Sequence, residues 1–280
     1  MTTTFTIDSL SDTAPLAEGV EIPVLGLGTW KAQDGNEAVA AVRDALDIGY
    51  RHVDTAAAYG NEESVGQALR DFGDRDAVFL TTKLWNADHG YETTLKACDA
   101  SRKRLGVDVI DLYLVHWPCG MDFMDTWRAM EKLLSDGKVR AIGVSNFLEP
   151  HLRTLLDSAS VKPALNQIET HPWLTQTPLH QFHRDHGIVS EAWSPLMQGK
   201  FNDIPLLAEI GEAHGKSPAQ VLLRWDLQLG VVTIPKSTDR AHLEANADVF
   251  DFHLTDSQMQ QINALDQHKR LGPDPDTFTG

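Results

Sequence analysis

Residues 50–61 read YRHVDTAAAYGN. A short apolar-rich run ends on a carboxylate, Asp54, and a phenol, Tyr59, follows in a loop of small residues. Two later stretches share this design. Residues 78–85, VFLTTKLW, end their strand-like run at Lys83, and residues 109–118, VIDLYLVHWP, end theirs at His116. Three successive strand candidates therefore each deliver an ionisable residue at the carboxyl end. In a barrel of parallel strands those ends converge on one mouth, where active sites sit.

Outward from these stretches the chain alternates. From Asn36 the pattern is helical, with Val39, Val42, Leu46 and Ile48 approximating one face and Gly49 closing it. Between Asp54 and Lys83, the three- and four-residue spacing of Val65, Leu69 and Phe72 marks a helix. Residues 139–146 (VRAIGVSN), 163–169 (PALNQIE), 188–196 (IVSEAWSPL) and 231–236 (VVTIPK) read as further strands separated by helical stretches. Aspartate or serine opens several of the helices, as capping predicts. Eight β–α units in alternation point to a (β/α)8 TIM barrel spanning residues 1–280 as a single domain. An N-terminal β-hairpin, built from FTIDSL (5–10) and GVEIPVLGLGTW (19–30), precedes it, and extra C-terminal helices follow. A Rossmann unit is disfavoured: Gly26-Leu27-Gly28 follows a hairpin, and Lys31 stands where the third glycine belongs.

Composition narrows the partners. At 280 residues, 42% hydrophobic and 23% charged, the chain has ordinary globular usage. Its net charge of −16 argues against nucleic acid and anionic membrane surfaces. Cys98 and Cys119 show no metal-ligand spacing, which suits a reduced, cytoplasmic protein. The first fifteen residues lack the pattern of a secretory leader, and no apolar run is long enough to span a membrane. His180, His183 and His186 recur at i, i+3, i+6 without a supporting acid; we read them as a solvated helix face and expect no metal.

Taken singly, Asp54 could cap a helix, Lys83 could be solvated and His116 could pack. Together with Tyr59 they make a proton-transfer device. A free phenol has a pKa near ~10, too high for acid–base work at neutral pH, and a neighbouring Lys⁺ lowers it. A carboxylate beside that lysine keeps it charged, and a neutral histidine orients a substrate oxygen. Such a set moves a proton to or from an oxygen whose carbon gains or loses hydride.

The runs GYRHVDTAAAYGNE, TTKLW, LYLVHWP, IGVSNF, NQIETHP and IPKS together resemble the aldo-keto reductases, in the family's order and over about residues 19–266. The chain is most similar to bacterial members with a brief loop after His116, of the 2,5-diketogluconate reductase type. The resemblance implies a catalytic set of Tyr59, Lys83, Asp54 and His116. Tyr59 would be the general acid for reducing aldehydes or ketones, keto-sugar acids and dicarbonyls among them. It implies NADPH/NADP+ as cofactor, with Ser145, Asn146 and Gln167 on the carboxamide and Trp193 stacked on the nicotinamide. Ser194 and Leu196 would touch the pyrophosphate, and Lys236, Ser237 and Asn246 the adenosine end. Thr29 and Trp30 join the cofactor set, and Trp30, Trp85, His116 and Trp117 would line the substrate pocket. His242 and Ala245 depart from the family, which usually has Arg and often Glu there. NADH use therefore stays open, and Arg240 is the nearest substitute cation. The expected partner is a small-molecule carbonyl compound, met by a monomer. The rival readings are a cofactor-binding structural or regulatory member of the same fold, and another barrel enzyme such as an isomerase. The tail from Leu271 either covers the pocket or is loose.

Overall fold

The computed structural model describes residues 5, 7–119 and 123–279. Residues 1–4 of the amino-terminal stretch and residues 120–122 of the loop after His116 lie outside the described residues.

An antiparallel hairpin comes first: β1 (Thr13–Ala17) pairs with β2 (Val20–Pro23). Its first arm is not the expected FTIDSL. Asp12 accepts hydrogen bonds from the backbone of Asp8 and Ser9, which folds that segment into a turn and delays pairing until Thr13.

The barrel follows. In chain order it comprises β3 (Leu27–Gly28), α1 (Asn36–Ile48), β4 (His52–Asp54), α2 (Glu62–Phe72), β5 (Phe79–Leu84) and α3 (Tyr91–Leu105). Next come β6 (Ile110–Val115), α4 (Met124–Ser135), β7 (Val139–Ser145), α5 (Glu149–Ser158), β8 (Leu165–Glu169), α6 (Thr177–His186) and β9 (Val189–Trp193). Two helices, α7 (Pro205–His214) and α8 (Pro218–Gln228), precede β10 (Val231–Thr233); α9 (Arg240–Ala247) and α10 (Asp256–Asn263) follow it. The eight strands β3 to β10 lie side by side in sequence order, each parallel to its neighbour. Parallel bridges Leu25–Thr233 and Gly28–Lys236 join the last strand to the first. Glycine is required at this seam, because a Cβ on Gly28 would sit 2.7 Å from the Ile234 carbonyl oxygen.

Strands β5 and β6 are buried along their whole length, as parallel strands covered on both faces must be. Burial of each large apolar side chain there contributes roughly 1.5–3 kcal/mol. Long-range hydrogen bonds fix the outer ring: Tyr50 Oη donates to the Leu243 carbonyl at 3.0 Å, and Trp225 Nε1 to Asn263 Oδ1 at 2.8 Å. Side-chain caps open α8, α9 and α10, from Ser217, Asp239 and Thr255. Among the described residues no helix is long and apolar enough to cross a membrane, and no cluster could hold a metal.

The solvated-face reading of His180 and His183 is overturned. Both are buried under α6, where their Nδ1 atoms meet Ser190 Oγ at 2.9 and 2.8 Å. His183 Nε2 also meets Asn166 Nδ2 at 2.9 Å, and His180 Nε2 meets Thr170 Oγ1 at 3.3 Å. Polar residues of β8, β9 and the β8–α6 loop satisfy the imidazoles, so the helix can turn this face inward. Burial pushes His180 from 6.5 down to about 3 and His183 well below its ordinary value. A depressed imidazole leaves the folded state with fewer bound protons than the unfolded chain. Its stabilisation is complete above the unfolded value of 6.5 and is lost as pH falls. His180 alone is expected to remove about 2 kcal/mol between pH 7 and pH 5. Urea unfolding midpoints at the two pH values, compared with those of His180→Asn, measure this; equal pH slopes in both proteins would refute it.

Candidate active site

The carboxyl ends of the strands converge as the sequence implied. Asp54 ends β4, Lys83 lies near the end of β5, and His116 follows β6 directly. Tyr59 sits on a single helical turn, Ala57–Tyr59, between β4 and α2. Lys83 Nζ lies 2.5 Å from Asp54 Oδ1, 3.0 Å from the Thr55 carbonyl and 3.3 Å from Tyr59 Oη. An ammonium group has three hydrogens, and these three acceptors use all of them. The ion pair is sealed, since both side chains are almost inaccessible to solvent.

Burial sets the protonation states. It pushes the Tyr59 phenol up, Lys83 pulls it down, and the net position is above the ordinary value of 10.0. The expectation of a lowered phenol is therefore not met in the protein alone, because desolvation outweighs the single cation. Burial works against the charge on Lys83, but Asp54 and then Tyr59 outweigh it and hold the amine above its ordinary value. Burial, and then the Lys83 charge, keep His116 well below 6.5, hence neutral. The His116 ring lies edge-on to Tyr59, with centroids 5.7 Å apart, and edge-on to Trp85 at 5.4 Å.

Beneath this set lies a carboxylate that the sequence reading missed. Gln167 Nε2 donates to Asp54 Oδ2 at 2.8 Å and to Glu191 Oε2 at 2.7 Å. His52 Nε2 lies 3.7 Å from Glu191 Oε1. The available signal was one acid inside the apolar run IVSEAW, whose inward direction only the closed barrel defines.

Above the set opens a cavity of about 450 Å³. Trp30, Trp85, Trp117 and Trp193 form its aromatic walls, with Ser145, Asn146, Gln167, Ser194 and Lys236 among its polar lining. Asn146, at φ 65°, spends its side chain on the protein. Its Nδ2 donates to the His116 carbonyl and Ser145 Oγ, and its Oδ1 accepts from Trp193 Nε1 at 2.8 Å. It thereby holds the Trp193 ring against the wall. Other expected residues stand off the pocket lining. Thr29 Oγ1 is bound to the Asp54 carbonyl, and Ser237 Oγ accepts from the Asp239 backbone. Leu196, His242 and Asn246 are likewise absent from the lining. Arg240 is engaged on the outer face by Asp44 at 2.8 Å and Glu244 at 3.0 Å.

The tail covers the pocket. Phe278 packs on Trp117 with ring centroids 4.4 Å apart, and Gly272 and Pro273 join the lining. Buried Glu169 anchors the tail by accepting from the Leu271 backbone at 2.6 Å and the Gly272 backbone at 3.2 Å. A Cβ on Gly272 would lie 2.4 Å from Trp193 Cη2, so any side chain there must displace the indole or the tail. Gly272→Val is expected to weaken binding of a ligand that stacks on Trp193 by about tenfold, with little change in melting temperature. Ligand titration followed by tryptophan emission measures it; unchanged affinity would count against the contact.

Comparison with known proteins adds an independent finding. The profile of the Aldo/keto reductase family matches residues 24–267. Glyoxal reductase of Bacillus subtilis is 54% identical over 269 residues, covering 96% of this chain and 98% of that protein. An aldo/keto reductase structure from Brucella melitensis superposes with a TM-score of 0.87 at 50% identity, covering 91% of this chain and 99% of that one. The Bombyx mori aldo-keto reductase in complex with NADP superposes with a TM-score of 0.89 at 35% identity, covering 93% and 94%.

Proposed function

The chain belongs to the aldo/keto reductase family, and from that premise we propose that Tyr59 is the proton donor in nicotinamide-dependent reduction of aldehydes and ketones to alcohols. The observation that carries this reading is the closed Asp54–Lys83–Tyr59 chain at the floor of an aromatic-walled cavity. A reduced nicotinamide, when bound, supplies hydride to the carbonyl carbon. Tyr59 gives its proton to the carbonyl oxygen, and Lys83 stabilises the phenolate that remains. Asp54 keeps Lys83 charged and aimed. Neutral His116 can hydrogen-bond the carbonyl oxygen without competing as an acid. The phenol keeps its proton at neutral pH, so the proton is in place for reduction, and Lys83 must offset the burial that holds the phenol above its ordinary value.

The residues suit the cofactor. Trp193 offers a ring held by its indole N–H, and the Gln167 carbonyl oxygen meets no donor among the described residues. Gln167 and Ser145 would hold the carboxamide, and Lys236 would face the phosphates. We propose NADPH as the preferred form. Arg240 is committed to Asp44 and Glu244, which leaves His242 where the family resemblance places an arginine. His242→Arg is expected to raise the NADPH-over-NADH preference on the order of tenfold, since a guanidinium pairs a phosphate in two places. Dissociation constants for both cofactors test this, and an unchanged ratio would exclude residue 242 from the phosphate site.

Small aldehydes, including dicarbonyls, are the proposed substrates. The cavity is modest and apolar-walled, and the Bacillus subtilis relative is named a glyoxal reductase. A cytoplasmic monomer is the proposed working state. The test is consumption of NADPH and NADH with glyoxal, longer aldehydes, ketones and keto-sugar acids. Turnover of short dicarbonyls above the others supports the substrate class; cofactor binding without turnover of any carbonyl would overturn the enzymatic reading.

A further inference from the structure

Glu191 is a buried acid for which the proposed proton transfer has no direct use. It lies on β9, whereas Asp54 is on β4 and Gln167 on β8. The amino group of Gln167 donates to both carboxyl groups, at 2.8 Å to Asp54 Oδ2 and 2.7 Å to Glu191 Oε2. A primary amide has two N–H hydrogens, so both are committed. The other end of the amide, Oε1, meets no donor among the described residues, and Gln167 lines the pocket. The reversed amide would set its oxygen against two carboxyl groups and leave its donors without these partners. Asp54 alone occupies one hydrogen; the second acceptor is what commits the group.

We propose that Glu191 is a positioning residue: with Asp54 it clamps the Gln167 amino group inside the barrel and so offers the Gln167 carbonyl as acceptor for the carboxamide N–H of a nicotinamide. This rests on the nicotinamide reading above. The groups facing Glu191 are Asp54 and His52 on β4 and Lys83 on β5. Burial, then the Asp54 charge, push Glu191 up to about 8, so it is mostly protonated at neutral pH. Oε2 remains the acceptor for Gln167, and Oε1 has no hydrogen-bond partner among the described residues. A neutral amide can therefore replace it.

The test is binding, free of turnover. NADP+ is compared with its 3-acetylpyridine analogue, which replaces the carboxamide NH2 by a methyl group, using quenching of tryptophan emission. The parent is expected to prefer NADP+ by about tenfold, the worth of one well-made hydrogen bond. Glu191→Gln keeps the acceptor and should keep that ratio. Glu191→Leu removes it, and the ratio should fall toward one; Glu191→Met, flexible and of similar length, serves where Glu191→Leu fails to fold. A purely structural role would weaken both ligands alike and leave the ratio intact, which overturns the proposal, as would collapse of the ratio in Glu191→Gln. A parent protein that binds neither dinucleotide would instead overturn the nicotinamide reading itself.

Discussion

Tyr59→Phe is expected to lower kcat for carbonyl reduction by about 10²–10⁴-fold while leaving cofactor affinity nearly unchanged. The substitution removes one oxygen from a ring whose position is held by packing against His116. Lys83 keeps Asp54 and the Thr55 carbonyl as partners, so the floor of the site does not lose its charge balance. What disappears is the one hydroxyl among the described residues that both contacts Lys83 and lines the cavity. Stopped-flow measurement of hydride transfer, with cofactor binding in parallel, separates chemistry from binding. A Tyr59→Phe protein with full single-turnover rate would assign the proton to another group, and His116 would be next to test.

Lys83→Met should damage both catalysis and stability. Removing the cation leaves the phenolate unsupported, a loss of about 10²–10³ in rate. It also strands Asp54 in a dry interior, and breaking such a buried pair costs about 3–5 kcal/mol. The pH dependence carries the diagnosis. Burial already raises Asp54 above 3.8, and without Lys83 the strongest opposing influence is gone. A carboxyl raised in the folded state binds more protons folded than unfolded, so the variant loses stability as pH rises above the unfolded value and regains it in acid. Melting midpoints from pH 4 to pH 8, relative to the parent, should therefore converge at the acid end. Adding Asp54→Asn should remove the pH dependence of that difference. Parallel curves for parent and Lys83→Met would mean that Asp54 is not stranded.

The local sequence carried much of this protein. Most strand signals were short apolar-rich runs followed by a helical stretch, and those patterns depend on neighbours a few positions away. Residues at the ends of such strands, Asp54, Lys83 and His116, were legible because a parallel barrel brings every strand end to one mouth. The first arm of the hairpin was misjudged because a single capping acid, Asp12, competes with strand pairing.

Tertiary structure decided what depends on pairing across the closed barrel. His180 and His183 have a spacing equally consistent with a wet or a buried face; Ser190, Asn166 and Thr170, supplied by neighbouring segments, settle the choice. Arg240 is drawn outward by Asp44, 196 positions earlier in the chain, a partner that no local window contains. Phe278 meets Trp117 on a tail that Glu169 pins near Leu271, more than a hundred positions along the chain. Glu191 looked like one acid in an apolar strand until closure set it beside Gln167 and Asp54. Local sequence fixes backbone preference and which residues can do chemistry. The partner of a buried polar group follows from how distant strands are brought together, because that closure determines which groups share a space without water.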